Sequence, residues 1–309
     1  MSKIYIGISG WRYAPWRGVF YPKGLAQKRE LEFASRTLAT CEINGSFYAL
    51  QRPASYAAWY EHTPAGFVFS VKANRLLTHV LRLRDIEKPL ADMFASGMFN
   101  LREKLGPVLW QFPPSLEYDS SLFERFLALL PQDLDSALQL IRRHHETPIL
   151  GAYPETSSNH RIRHAVEIRH PSFATSSFIA LLRKHGVALV VSDSGSRWPY
   201  LEDVTADFMY VRLHGEQELY ASGYSDEALD RWASRIRAWH AGVEPQDARL
   251  VCQTAELVAT GRDVYCYLDN TMKARAPFDA RYLIDRLSLD AGLIPFSGQG
   301  EIFQAADQS

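Results

Sequence analysis

The chain has 309 residues, 47% of them hydrophobic and 22% charged, and its 34 basic and 35 acidic side chains nearly cancel. That composition supplies a sizeable core and excludes a disordered chain. The balanced charge provides no overall positive field to hold nucleic acid or an anionic membrane.

The first β-rich apolar run is Ile4–Gly10, followed by the aromatic loop WRYAPWRGVFYP, in which Pro15 and Gly18 suit turns. A helix is predicted over Glu30–Ala39, a strand over Cys41–Phe47, a helix over Ser55–His62 and a strand over Phe67–Ala73. Next come a helix over Ile86–Leu105, a strand at Val108–Phe112 and a helix over Ser120–Leu130. Pro131–Arg163 is longer than a simple connection, and it reads as a helix followed by an extended excursion on the face away from the strand ends.

The second half runs through strands at Ala165–His170, Ala188–Asp193, Phe208–His214 and Val264–Asp269. Between them, Ser176–His185 carries Phe178, Leu181 and Leu182 at helical spacing and stops at Gly186. Ser225–Ala241 places Leu229, Trp232, Ile236 and Trp239 on one face, and a last helix ends near Arg286. Residues 300–309 read as a flexible tail.

Strands alternating with helices argue for a parallel sheet, because parallel neighbours need a crossover. Eight of them argue for a single-domain α/β TIM-type (β/α)8 barrel over residues 1–309. No Gly-rich phosphate fingerprint follows the first strand, against a dinucleotide fold. Cys41, Cys252 and Cys266 form no CxxC pair, as expected of buried thiols in a reducing compartment. The opening residues lack a signal-peptide pattern and no apolar run could span a bilayer, so a cytoplasmic protein with no membrane partner is expected.

Most of the apolar runs finish in charged or amide residues: Glu42 and Asn44, Lys72, Gln111, Glu167 with Arg169, Asp193, Arg212 with His214, and Asp269 with Asn270. Barrel enzymes build their sites at this end. Residues two apart share a face of a strand. Glu42 and Asn44, Glu167 and Arg169, Arg212 and His214, and Tyr267 and Asp269 therefore point together, towards the axis. A set of ion pairs plugging the barrel is the plain alternative to a functional site.

The segments GISGWRYAPWRGVFYP, EINGSFY, FVFSVKAN, GPVLWQFPPS, VEIRHPSF and YVRLHG, spread from Ile4 to about Leu287, resemble the YecE-like family, domain of unknown function number seventy-two. The resemblance implies a TIM-barrel fold and supplies no reaction. Leu268, Asp269 and Asn270 stand where the family pattern usually has a Phe-Asn-Asn-like run, and Phe173 stands where an aromatic, most often Trp, is usual.

Three readings of the strand ends follow. In the first, a cofactor-free enzyme acts on a small anionic or polyhydroxylated, sugar-like substrate. Glu42, Glu167 and His214 are its acid–base candidates. Lys72, Arg169 and Arg212 hold the anion, with Trp11, Asn44, Tyr48, Gln111, Tyr220 and Asn270 as further binding residues. In the second, Glu167, Asp193, His214 and Asp269 hold Mn or Mg for a sugar isomerase or epimerase-like enzyme or a hydrolase. In the third, the barrel binds a ligand without catalysis, or binds nucleic acid through basic clusters at Arg12–Arg17, Arg82–Arg84, Arg142–His145 and Arg161–His164; the near-neutral charge weighs against nucleic acid. Ser9 lacks a GxSxG context, and Cys41 alternates away from Glu42, so neither reads as a nucleophile.

Overall fold

The computed structural model describes residues 2–145, 160–252, 261–290 and 293. Eight parallel strands close in chain order: β1 Ile4–Ser9, β2 Thr40–Ile43, β3 Val68–Lys72, β4 Leu105–Gln111, β5 His164–Glu167, β6 Ala188–Asp193, β7 Phe208–Leu213 and β8 Asp263–Leu268. β8 pairs with β1, Ile4 opposite Val264 and Ile8 opposite Leu268. The expected barrel is the observed one. Around it run α1 Glu30–Thr37, α2 Gly45–Tyr48, α3 Pro53–Glu61, α4 Glu87–Phe94, α5 Ser120–Leu129, α6 Leu134–His144, α7 Ser176–His185, α8 Asp226–His240 and α9 Arg275–Leu287. No helix among the described residues is long and apolar enough to cross a membrane.

Local chemistry sets the helix starts. Asp119, Thr175 and Ser225 each accept a backbone N–H of the first turn of α5, α7 and α8, satisfying donors that helix geometry leaves unpaired. Two expected elements are shorter than their apolar patterns. The predicted second strand stops at Ile43, because Ser46 Oγ donates to the carbonyls of Ile43 and Lys72 and folds the chain into α2. The predicted helix over Ile86–Leu105 breaks after Phe94. Gly97 there takes φ 107°, and a Cβ on it would lie 2.5 Å from Pro53 Cα. The chain resumes as a 3-10 turn, Met98–Lys104.

Within Pro131–Arg163, α6 is the expected helix. Ile162 N–H then donates to the Gln132 carbonyl, and Arg161 pairs with Asp207 just before β7. The segment thus returns at the end where strands begin. Most of the expected excursion and the 300–309 tail lie outside the described residues.

The hydrophobic core has two compartments. The larger lies between strands and helices; it includes Trp16, Trp110 and Trp239, all fully buried. The smaller fills the barrel itself with Val68, Leu109, Ala165, Ala188, Val190, Phe208, Tyr210, Tyr265 and Tyr267. Tyr5 stacks on Tyr265 at 4.8 Å between centroids. Tyr267 and Tyr210 meet Thr40 and Ser70 through their hydroxyls at 2.9 and 2.7 Å. Each ring buries an apolar body while its polar tip stays bonded.

Gly7 faces the same interior, and a Cβ there would lie 1.9 Å from the Thr40 carbonyl oxygen. Only glycine lets β1 approach β2 this closely.

Candidate functional site: a charged layer at the barrel mouth

Strand register decides which side chains enter the barrel. Ser9 lies opposite Glu42, and Glu42 opposite Ser70. Gln111 lies opposite Glu167, Ser192 opposite Arg212, and Arg212 opposite Tyr267. With a side-chain period of two, the tyrosine floor is therefore followed, one layer up, by a ring of charge.

Arg212 is the hub of that ring and is 1% exposed. Its Nε and Nη2 donate side-on to Glu42 at 3.0 and 2.8 Å. Nη1 donates to Glu167 Oε2 at 2.6 Å, and Nη2 also reaches Ser9 Oγ and Asp269 Oδ2, both at 3.1 Å. Glu42 further accepts the Ser9 hydroxyl at 2.5 Å and the Tyr210 hydroxyl at 2.8 Å. Such a buried pair holds only because its remaining hydrogen-bonding capacity is filled.

Glu167 takes a second guanidinium, Arg169, whose Nε donates to Oε1 at 2.8 Å. Arg169 lies over the Trp198 ring, 3.6 Å from its centroid, and Nη2 reaches the Tyr220 hydroxyl at 3.4 Å. His214 meets Asp269 through Nδ1 at 3.0 Å. Its Nε2 is buried, has no hydrogen-bond partner among the described residues and lies 4.0 Å from Glu167 Oε2. Trp198 and Tyr220 meet the imidazole edge-on.

The charges shift one another. Burial alone would raise the Glu167 carboxyl, but Arg169 and Arg212 hold it well below the usual range. Burial would likewise raise Asp269, yet Arg212 and His214 bring it down to about 2. Lys72 is pushed down to about 8 by burial and by Arg212, partly offset by Glu42, Glu167 and Asp269. His79 falls to about 4 through burial and the nearby cations, Lys72 and Arg169 first among them.

Glu42, Glu167, Arg212, His214 and Asp269 thus converge as the strand alternation expects, with Lys72 and Arg169 at the rim. Gln111 points the same way, its amide donating to the Phe112 carbonyl at 2.8 Å. Several other expectations need correction. Arg212 is enclosed and each of its three nitrogens is bonded to a protein acceptor, so it organises the layer rather than presenting an open face to an anion.

Asp193 does not join the others. It lies opposite Leu213, one step out of phase with Arg212, and so faces away from the axis, where Tyr224 and Trp232 hydrogen-bond to it. The expected set of four metal ligands is therefore not assembled. The oxygens of Glu167 and Asp269 that face His214 accept N–H groups of Arg212, so these side chains do not fit a divalent ion as they stand. Among the described residues no group of three or more His, Cys, Asp or Glu is placed to hold one.

Asn270 turns outward, donating to Asp279 at 2.7 Å and to the Ser222 carbonyl. Tyr48 is 72% exposed and touches Phe47 rather than the charged layer. Trp11 packs edge-on against Trp59 in a neighbouring cavity of about 280 Å³, lined also by Tyr13, Asn44 and Gln51. Asn44 Oδ1 is buried there without a hydrogen-bond partner among the described residues.

Sequence reasoning missed Tyr210 and Trp198, and set aside Ser9 for want of a GxSxG context and His79 as a cap of a strand or loop end. Ser9 and Tyr210 were detectable, since each shares the inward phase of its strand, Tyr210 two residues before Arg212. Trp198 and His79 sit in irregular segments, for which strand alternation gives no orientation.

The comparisons with known proteins follow the same architecture. A family model described as "Protein of unknown function DUF72" matches residues 5–298. The UPF0759 protein YunF of Bacillus subtilis (strain 168) is 33% identical over 116 residues, 36% of this chain and 40% of that protein. The matched stretch is therefore less than half of that relative's length. A DUF72 family protein from Thermotoga maritima MSB8 superimposes with a TM-score of 0.68 at 23% identity, covering 93% of this chain and 99% of that one. Another from Enterococcus faecalis V583 gives 0.65 at 15% identity, covering 95% and 98%. At these identities the two structures share the fold.

Proposed function

The chain belongs to the DUF72 family, and from that premise we propose that its barrel mouth is an acid–base site for a small anionic substrate. One observation carries the reading. His214 is held through Nδ1 by Asp269, while Nε2 is buried, unpartnered and directed into the layer beside Glu167. A carboxylate that accepts Nδ1–H fixes the tautomer and leaves Nε2 as the proton acceptor, the arrangement that proton transfer requires.

Arg169 and Lys72 supply the attraction for the anion. They are the partly exposed cations of the layer, whereas Arg212 is enclosed. Trp198 orients the Arg169 plane. Glu42 and Glu167 then act as the counter-charges that fix Arg212 and Arg169. The cavity beside Trp11 and Asn44 supports a substrate with a polyhydroxylated or flat portion, because its walls offer an indole face and amide groups.

The test is proton exchange. Small organic acids and sugar phosphates would be incubated with the protein in deuterated water, and label uptake next to the carbonyl or carboxyl group followed by mass spectrometry. His214→Asn should stop exchange while leaving ligand affinity within about threefold, and Arg169→Ala should weaken affinity at least tenfold. Binding and exchange that survive both changes would overturn the reading.

A further inference from the structure

Two lysines of this chain are drawn into the fold, one fully and one in part, and they are built in opposite ways. Lys104 is 5% exposed, and its Nζ donates to the carbonyls of Tyr60 and Thr63 at 2.6 and 2.7 Å and to Thr63 Oγ1 at 3.1 Å. Three acceptors for three N–H bonds make a saturated, structural ammonium. Lys72 ends β3 inside the charged layer, with its Nζ over the Phe47 ring at 4.3 Å. Among the described residues it has no hydrogen-bond acceptor and no carboxylate at ion-pair distance.

The reason lies in its neighbours. The carboxylates that face it are Glu42 on β2, Glu167 on β5 and Asp269 after β8, and each is bonded to Arg212. Glu42 is filled further by Ser9 and Tyr210, Glu167 by Arg169 and Asp269 by His214. Arg212, also close, repels the ammonium. His79 lies beside Lys72 with Thr78 on its Nδ1, among Arg169, Arg75 and Arg82. Lys72 is the amine that this layer leaves unpaired.

We propose that Lys72 is a covalent anchor for a small carbonyl compound, its ε-amino group condensing with an aldehyde or ketone in the barrel mouth. The proposal rests on the anionic-substrate reading above and names the substrate class: a short aldehyde or keto compound that also bears a phosphate or carboxylate for Arg169. The Nζ lone pair forms a bond to the carbonyl carbon, and one proton passes from that nitrogen to the carbonyl oxygen to give a neutral carbinolamine. The hydroxyl takes a second proton, from solvent, and leaves as water while the nitrogen lone pair closes the C=N bond of an iminium. The iminium draws electrons from the adjacent C–H bond, whose proton passes to His214, and no external oxidant or reductant is involved. With its pKa brought to about 8, a usable fraction of the amine is unprotonated near neutrality.

The experiment uses the full chain with pyruvate and glycolaldehyde phosphate as probes and cyanoborohydride to trap the imine, followed by peptide mass mapping. The expected result is one adduct at Lys72, formed at least tenfold faster than at Lys104 or the exposed Lys23 and Lys28. Its rate should rise with pH to half-maximum near pH 8, and inorganic phosphate should compete. Lys72→Arg, and Lys72→Met in case the arginine is not accommodated, should abolish that adduct while the circular dichroism spectrum is kept. No adduct at Lys72, or one no faster than at the exposed lysines, overturns the proposal. An adduct that phosphate does not suppress would keep the anchor and remove the anion reading. Phosphate binding without an adduct would do the reverse.

Discussion

Arg212 and Glu42 lie side-on across the barrel from β7 to β2, with two N–H···O bonds of 3.0 and 2.8 Å in a space with no solvent exposure at the carboxylate. The pair is also the point through which Ser9, Tyr210, Glu167 and Asp269 are connected. Arg212→Met would leave three buried carboxylates without their shared guanidinium. A loss of about 3–5 kcal/mol is expected, read as a fall in the urea midpoint. A change under about 1 kcal/mol would mean that the carboxylates do not depend on this cation.

Acid should dismantle the layer. Asp269 titrates at about 2 against an ordinary 3.8, and Glu167 is likewise depressed from 4.5. A depressed carboxyl contributes its full stabilisation above its unfolded pKa and loses it as pH falls through the folded one. Stability should therefore drop from about pH 4.5 towards pH 2. Asp269→Asn should flatten part of that slope in a pH series of denaturation midpoints, and an unchanged slope would count against the pairing.

Lys72 acts in the opposite sense. Its folded pKa of about 8 lies below the ordinary 10.5, so the unfolded chain binds more protons in that interval and stability rises with pH across it. Lys72→Met should be more stable than the parent at pH 7, by about 1–3 kcal/mol. That advantage should shrink as the pH approaches 10.5. If Lys72→Met is destabilising at pH 7, the ammonium is better accommodated than its lack of partners implies.

The Asp269–His214 bond can be followed without any substrate. Nitrogen-15 spectra of histidine-labelled protein should show Nδ1 of His214 as the nitrogen that donates to Asp269, and Asp269→Ala should remove that signature. A His214 signal unaltered by Asp269→Ala would dissociate the two residues.

Asp279 offers a separate test, outside the charged layer. Burial raises it to about 6 although Asn270 and the Tyr224 N–H donate to it. A raised carboxyl favours the fold at low pH and loses that contribution as pH rises from 3.8 through 6. Asp279→Asn, which keeps an acceptor, should gain on the parent between pH 4 and 7 by about 1–3 kcal/mol. Asn270→Ala should cost roughly 1–2 kcal/mol at pH 7 without changing phosphate binding at the mouth.

The barrel was legible because alternating strand and helix patterns report connectivity as well as element type. Inward and outward faces were legible within a strand, so Glu167 with Arg169 and Arg212 with His214 fall where expected. Phase between strands was not legible. Asp193 ends its apolar run in the same way as the others, but the register of β6 against β7 turns it outward. Asn270, one residue beyond Asp269, likewise turns to α9. The position of Arg212 at the centre, with each of its nitrogens committed, depends on several separate strands meeting and has no signature in any one of them.

That commitment bears on how the chain can be assembled. Glu42 is placed by β2, early in synthesis, but its partners Tyr210 and Arg212 arrive only with β7, and Asp269 follows after β8. A polypeptide cut between β6 and β7 would hold the Glu42 carboxylate with the Ser9 hydroxyl alone. Although its units look interchangeable, the two halves of this barrel share one ionic layer. Only with the seventh strand does the Glu42 carboxylate of the second gain its cation.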